Sequence, residues 1–219
     1  MKLRVAWTLC LAALRSVQLL LNGDVRVPEN RVGQALETAD GTTFVVYRET
    51  VLQPAVETAN DGVVLLFRME VTDPAARGPL RDLLFDPVAN VATPFFVGLP
   101  GFRRKLWLAG ERPGEFLELY EWESAAAANR FVDLLQALLA PVDYAGSAAF
   151  EVVDHDSVEA YVDASDATWR EEVPNRWRPP RRPSVLVRAI ALGMAVLAVY
   201  VVWSWVRKSV AGVVSPVVE

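Results

Sequence analysis

A lysine, a glutamate and three large aromatic residues recur at alternate positions in two adjacent stretches of the chain. Lys105 and Trp107 occupy the first stretch, and Glu118, Tyr120 and Trp122 occupy the second. A lysine ammonium can hold a carboxylate or an enolate, and the rings can stack on a planar substrate. The alternative is structural: a cross-strand pair between the lysine and the glutamate, with the rings packed at a subunit interface.

Two further residues could take part in such chemistry. Arg68 is a second cation for a carboxylate or an enolate, and its alternative is a pair with Glu70. His155 lies between two aspartates at a predicted strand end, where a solvated histidine is typical, and no second catalytic group accompanies it. The sequence therefore identifies no catalytic residue. The residues predicted to bind a substrate are Arg68, Lys105, Trp107, Glu118, Tyr120 and Trp122.

Composition argues against several classes of site. The chain has one cysteine, Cys10, and one histidine, so a conventional zinc or haem-iron site would lack protein ligands. No phosphate loop or dinucleotide fingerprint occurs, and no cofactor or metal is predicted. A net charge of −5 gives no support to nucleic-acid binding.

The elements that would position these residues follow the order βαββαβ from about residue 62 to 155. Strands are predicted over 63–71, 102–109, 115–122 and 148–154. The first helix begins at Pro74, and the second covers 125–139 with Ser124 as its N-cap. This order predicts an α+β, ferredoxin-like fold of the dimeric α/β-barrel kind.

Alternation along the strands predicts which side chains share a face of the sheet. We expect the helix-facing side to carry Val63, Leu65, Phe67, Met69, Leu106, Leu108, Leu117 and Leu119. The opposite face would carry Arg68, Glu70, Arg103, Lys105, Trp107, Phe116, Glu118, Tyr120 and Trp122. An aromatic and charged face is poorly suited to water, so we expect it to meet a second subunit in a homodimer, a small aromatic or lipophilic ligand, or both.

Two additions precede this domain. Residues 5–21 predict a helix that Asn22-Gly23 closes and that lies in the cytoplasm or on a membrane surface, with an uncleaved membrane span as the alternative. Residues 32–49 predict a β-hairpin around Asp40-Gly41 that extends or covers an edge of the sheet.

Residues 185–206 are almost entirely apolar, with one charge, and are long enough to cross a hydrocarbon core of about 30 Å. Arginines cluster before this span, and only Arg207 and Lys208 follow it. The positive-inside rule then predicts a single-pass protein of the cell membrane, with the lipid bilayer as a partner and the N-terminal domain in the cytoplasm. The predicted divisions are an N-terminal helix 1–23, a hairpin extension 24–61, a ferredoxin-like domain 62–163, a Pro/Arg-rich linker 164–184, a transmembrane helix 185–206 and a tail 207–219.

A family resemblance rests on one motif, which consists of Pro100-Gly101, Lys105-x-Trp107, Tyr120-x-Trp122 and Ser124 before an alanine-rich helix. The motif resembles the YdhR-type mono-oxygenases of the antibiotic-biosynthesis-monooxygenase-like, dimeric α/β-barrel superfamily, over residues 62–155. The resemblance implies a homodimer of face-to-face sheets with a pocket at the interface or between sheet and helices. Some members oxidise polycyclic aromatics without a cofactor. Haem-degrading members use an Asn on the first strand, a Trp at the end of a later strand and a His on the following helix. Trp122 matches the Trp, but this sequence has neither the Asn nor the His at those places.

Two functions from different classes remain. The leading prediction is a membrane-anchored, mono-oxygenase-like protein that oxidises a small aromatic or lipophilic substrate without a cofactor. Its rival is a non-catalytic module that binds a ligand or a protein at the membrane. Oxygen consumption separates the two, because a binding module has no turnover.

Overall fold

The computed structural model describes residues 2–53, 62–70, 96–112, 114–139 and 148–171. Both the predicted helix from Pro74 and the predicted transmembrane segment 185–206 lie outside these residues. The described elements, in chain order, are α1 (Lys2–Asn22), β1 (Val25–Arg26), β2 (Ala35–Glu37), β3 (Thr43–Leu52), β4 (Val63–Glu70), β5 (Phe102–Gly110), β6 (Glu115–Trp122), α2 (Ala125–Leu139), β7 (Ala148–Val153), α3 (Val158–Ala164) and β8 (Thr168–Arg170).

The strands form one antiparallel sheet in the order β7-β4-β6-β5-β3-β2-β8, with β1 paired to β3. Its first four strands have the arrangement of a ferredoxin-like fold, in which the hairpin β5-β6 follows β4 in the chain and β6 lies beside β4. The predicted α+β class and its four strands are therefore confirmed. Helix α2 also has its predicted bounds, because Ser124 Oγ accepts a hydrogen bond from the Ala127 N–H at 3.3 Å and so caps its first turn.

The predicted hairpin is present and extends the sheet. Strands β2 and β3 pair around Asp40-Gly41, where Gly41 has a φ of 77°, and β3 pairs with β5 along most of its length. The N-terminal extension thus adds strands to the ferredoxin-like sheet and belongs to the same body.

The predicted linker 164–184 begins too early. Strand β8 lies inside that range and pairs with β2, and the Arg31 guanidinium lies 4.6 Å from the centroid of the Trp169 ring. A strand of three residues carries too little alternation to be recognised in a sequence, and its partner lies more than 130 residues away.

The predicted division of side chains between the two faces is wrong. Register places Val63 opposite Trp122 and Leu65 opposite Tyr120, so these four share a face. The leucines at 106, 108, 117 and 119 lie on the other face. Alternation fixes which residues of one strand share a side, but only the pairing register decides how the sides of neighbouring strands match.

Both faces are covered by elements of the same chain. The face with Trp107, Tyr120 and Trp122 packs against α2 and residues 96–99, and these three side chains are at most 5% exposed. The leucine face packs against α3 through Val158 and Val162. The expectation that the aromatic face needs a second subunit, a ligand or both to shield it from water is therefore corrected, because α2 and residues 96–99 cover it. The predicted homodimer is not tested by a single chain and stays a prediction.

Helix α1 confirms the predicted N-terminal helix and ends at Asn22, followed by Gly23 with a φ of 77°. Its inner face lies against residues 96–99, where Gly98 comes so close that a Cβ there would lie 1.8 Å from the carbonyl oxygen of Ala12. Ser16 is also fully buried at this contact. None of the helices within the described part of the chain has both the length and the apolar character of a membrane span.

Candidate functional site

A buried ion pair lies on the face that α2 covers. The Lys105 ammonium donates to Glu118 Oε2 at 2.7 Å, and the Lys105 side chain is only 2% exposed. The hydroxyl of Tyr120 donates to the same carboxylate oxygen. The hairpin β5-β6 creates this arrangement, since its register sets Lys105 opposite Tyr120 and Trp107 opposite Glu118.

Three aromatic rings surround the ammonium. The Lys105 Nζ atom lies 3.0 Å from the centroid of the Trp107 ring, 4.5 Å from that of Tyr120 and 4.7 Å from that of Phe96. Ring faces attract a cation electrostatically, and the attraction is stronger where water is excluded. The rings therefore compensate part of the cost of removing the ammonium from water.

Burial dominates the electrostatics of the pair. Desolvation lowers the pKa of Lys105 to about 7, against the raising effect of the Glu118 charge and hydrogen bond, and Arg48 lowers it further. For Tyr120, desolvation and then the Glu118 carboxylate raise the pKa well above its ordinary value. Lys105 can therefore exchange a proton near neutral pH, whereas Tyr120 keeps its proton and remains a donor.

Two hydrogen-bond donors near the pair are unused within the described residues. The indole N–H groups of Trp107 and Trp122 are buried and have no acceptor there. A buried N–H without a partner costs about 1–3 kcal/mol. An oxygen atom of a bound molecule would relieve that cost.

Two further aromatic rings, those of Phe131 and Phe96, form a wall beside the Lys105–Glu118 pair. The Phe131 ring of α2 lies 5.0 Å from Tyr120 and 5.2 Å from Trp122 between centroids. Phe96 lies 5.6 Å from Trp107 and 6.0 Å from Tyr120. Neither Phe96 nor Phe131 was predicted for the site. Phe131 lies in the predicted helix 125–139, and Phe96 lies in a connection where no periodicity exists to orient its side chain.

Five of the six residues predicted for the site come together: Lys105, Trp107, Glu118, Tyr120 and Trp122. The sixth, Arg68, lies on the opposite face, where its register partner is Leu117. Its guanidinium contacts Asp40 Oδ2 at 2.5 Å and Thr42 Oγ1 at 3.2 Å. Hydrogen bonds from Thr38 and then from Arg68 hold the pKa of Asp40 well below its ordinary range. Arg68 therefore holds the β2-β3 turn against strand β4.

A second charged cluster lies on the leucine face and has a structural explanation. The Arg104 guanidinium contacts Glu49 at 2.8 Å, Glu159 at 2.9 Å and Glu121 at 3.1 Å. Glu121 also accepts the backbone N–H of Val158 at 2.9 Å, at the first residue of α3. Burial raises the pKa of Glu121. These contacts hold the start of α3 against the sheet.

His155 is separate from the buried pair. Its ring lies 6.1 Å from that of Tyr161 between centroids, and its backbone N–H donates to Val153 at the end of β7. The structure therefore brings no second acid or base to this histidine among the contacts described for it.

Comparison with known proteins gives likeness to solved structures alone. No protein-family profile matches the sequence, and no curated protein matches it. Among the solved structures that match, one is described as a ferredoxin-fold protein related to antibiotic biosynthesis monooxygenases and another as a monooxygenase-like protein from Listeria innocua.

Three of these structures illustrate the likeness. SnoaB, a cofactor-independent oxygenase from Streptomyces nogalater, shares 20% identity over 42% of this chain and 89% of its own, with a TM-score of 0.30. An anthrone oxidase-like protein shares 19% identity over 51% of this chain and 52% of its own, with a TM-score of 0.31, so the match spans about half its length. A ferredoxin-fold protein from Listeria monocytogenes, related to antibiotic biosynthesis monooxygenases, shares 13% identity over 62% of this chain and 84% of its own, with a TM-score of 0.36.

Proposed function

We propose that the chain is a membrane-anchored, cofactor-independent mono-oxygenase for a small aromatic or lipophilic substrate, with Lys105 as its base. One observation carries the proposal: a lysine ammonium lies fully buried between three aromatic rings, with a pKa of about 7. A buried ion pair is a weak source of stability, because desolvation offsets its attraction. Strongly shifted pKa values of this kind concentrate at functional sites.

Lys105 has the properties of a general base. At neutral pH a large share of its side chain is the free amine, and a base works best when its pKa lies near the working pH. After it accepts a proton, the resulting ammonium stabilises the carbanion or enolate of the substrate. Glu118 positions the lysine through their 2.7 Å contact, and Tyr120 positions Glu118.

The proposed reaction is balanced without any added reductant. Lys105 removes a proton from an activated CH₂ group of the substrate, and the carbanion gives one electron to O₂. The substrate radical and superoxide then combine with a proton to form a C–O bond and a hydroperoxide. Loss of water breaks the O–O bond and removes the second C–H proton. The CH₂ carbon becomes C=O, and the second oxygen atom leaves as water.

The surrounding rings would supply binding and a dry environment. Trp107 and Phe96 offer surfaces for a planar molecule, and the indole N–H of Trp107, which has no acceptor among the described residues, offers a donor to its oxygen. Exclusion of water strengthens the attraction between the ammonium and the substrate anion.

The membrane anchor in this proposal rests on the apolar sequence of residues 185–206 and on the arginines before it. An anchored enzyme would meet lipophilic substrates that are concentrated in the bilayer. The proposed location is the cytoplasmic side of the cell membrane.

The rival function is a non-catalytic binding module at the membrane, and one observation favours it. Trp107 lies only 3.0 Å from Lys105 Nζ, so protein atoms already occupy that side of the ammonium. In a module the Lys105–Glu118 pair would only shape the core.

The test measures oxygen uptake by the full chain in lipid vesicles, with a panel of phenols, quinols and compounds that carry a benzylic CH₂ next to a carbonyl. We expect uptake with at least one class and a loss of about 100-fold or more in Lys105→Met. Arg112→Met, which removes an exposed cation from the β5-β6 turn, is the matched control and should retain activity. Uptake that is absent throughout would favour the binding module, whereas uptake that is equal in Lys105→Met would remove Lys105 from the role of base.

A further inference from the structure

The outer face of α1 is an apolar stripe that the described residues do not cover. We use this name for Trp7, Leu11, Leu14 and Leu21, which are 44%, 48%, 53% and 82% exposed. Their spacing of four, three and seven residues puts them on one side of the helix. Ala12, Ala13 and Ser16, on the other side, are buried against the domain. The helix is therefore apolar on both sides, although among the described residues only its inner side packs against protein.

The charge of α1 indicates what would cover this stripe. The helix contains three basic residues, Lys2, Arg4 and Arg15, and no acidic residue, whereas the whole chain has a net charge of −5. Arg15 is exposed in the same stretch as Leu11 and Leu14. A helix with exposed Trp and Leu side chains and basic residues is typical of segments that lie in the interface of an anionic bilayer.

The sequence also limits how far the domain can lie from a membrane. Only residues 172–184 separate the last described residue, Glu171, from the predicted span 185–206. Thirteen residues reach at most about 45 Å when fully extended. Such a tether would keep α1 at a high effective concentration beside the bilayer, so weak interfacial binding would suffice.

We propose that the outer face of α1 docks into the headgroup region of an anionic bilayer, with the helix parallel to the membrane plane. The inner face of α1 packs on Gly98, two residues from the Phe96 ring that contacts the Lys105 ammonium. Docking would thus hold this wall of the candidate site beside the membrane. The docking proposal does not depend on whether Lys105 is catalytic.

The experiment places one environment-sensitive fluorophore on the outer face of the full chain. Leu14→Cys in a Cys10→Ala background takes the label, and Glu111→Cys, in the exposed β5-β6 turn, is the labelled control. The chain is reconstituted in vesicles of phosphatidylcholine alone or with about one-third phosphatidylglycerol. Nitroxide groups on the lipids, either near the headgroup or at the chain end, then report the depth of the label.

We expect headgroup-region nitroxides to quench the label at position 14 at least about twofold more strongly than the label at position 111. The quenching should be greater with phosphatidylglycerol and should decrease in about 0.5 M salt. Leu11→Asp/Leu21→Asp should reduce it. Asn129→Asp/Gln136→Glu, which adds two negative charges to exposed positions of α2, should leave it unchanged.

Four results would overturn the proposal. Equal exposure to water at positions 14 and 111 would leave the face uncovered. Stronger quenching from the chain ends would mean that α1 crosses the bilayer. A label environment that depends on protein concentration, together with energy transfer between labelled copies, would assign the face to a second subunit. An apolar environment that no lipid nitroxide quenches, and that deletion of residues 185–219 removes, would assign it to the chain's own C-terminal segment.

Discussion

The Lys105 ammonium and the Glu118 carboxylate meet at 2.7 Å on the face of the sheet that α2 covers, although they lie on different strands of the hairpin β5-β6. Removing both charges from water costs several kcal/mol per ion, and their attraction repays this only in part. The pair contributes little net stability, and the proposed role of Lys105 as a base depends on its free amine form near neutral pH.

Activity should increase with pH through about 7. The base must be the free amine before the substrate binds, so kcat/KM should follow the deprotonation of Lys105, whose pKa burial lowers to about 7. Oxygen uptake measured from pH 5.5 to 9 gives the profile. Lys105→Arg keeps the positive charge but cannot lose its proton at these pH values, and it should reduce kcat/KM by about 100-fold or more. A profile that is flat around neutral pH would remove Lys105 from the role of base.

The two charges should be strongly coupled in a stability measurement. Lys105→Met removes the hydrogen-bond donor that Glu118 keeps even when Lys105 is a free amine, and it should lower the free energy of unfolding by about 3 kcal/mol. Lys105→Met/Glu118→Leu removes both charges and should restore most of that loss, or exceed the wild type by about 1 kcal/mol. A double-mutant cycle from chemical denaturation of the full chain in detergent micelles measures the coupling. If the losses of stability in the single variants added up to that of the double variant, the two charges would be uncoupled, which would mean that water screens them. Activity should be lost in both variants regardless of stability.

The stability of the wild type should increase with pH between about 7 and 10.5. The pKa of Lys105 falls from 10.5 to about 7 on folding because the ammonium is desolvated. Within that interval the unfolded chain binds more protons at this site than the folded chain, so the free energy of unfolding increases with pH. The slope from this group is about 1.4 kcal/mol per pH unit, and it vanishes below pH 7, where both states are protonated. Lys105→Met/Glu118→Leu should lack this slope, and an equal slope in that variant would assign the effect to other groups.

Much of the secondary structure could be predicted because the local signals were strong. Strand β6 has the bounds that alternation indicates, and helix α2 begins where the Ser124 cap indicates. The Asp40-Gly41 turn likewise located the β2-β3 hairpin. Each of these signals lies within a few residues of the element it defines.

The arrangement of the site needed information that spans the chain. Lys105, Trp107 and Tyr120 were recognised as one face, but the side of the sheet on which they lie depends on pairing Tyr120 with Leu65 of β4. The alternation within β4 alone gave no reason to separate Arg68 from Lys105. The observed register pairs Arg68 with Leu117, and this places Arg68 on the opposite face. Phe96 entered the site only through tertiary packing.

The close contact between α1 and residues 96–99 should fail when Gly98 gains a side chain. A Cβ at Gly98 would lie 1.8 Å from the Ala12 carbonyl oxygen, and this oxygen belongs to the backbone and cannot rotate away. Gly98→Ala should therefore separate α1 from the domain and lower the free energy of unfolding by about 2 kcal/mol. Ser16→Ala is the matched control, since it removes a buried hydroxyl that has no partner among the described residues and should change stability by less than about 0.5 kcal/mol. Amide hydrogen exchange over residues 7–22 reports the release of α1 directly. If α1 kept its protection in Gly98→Ala, this contact would not be what holds the helix on the domain.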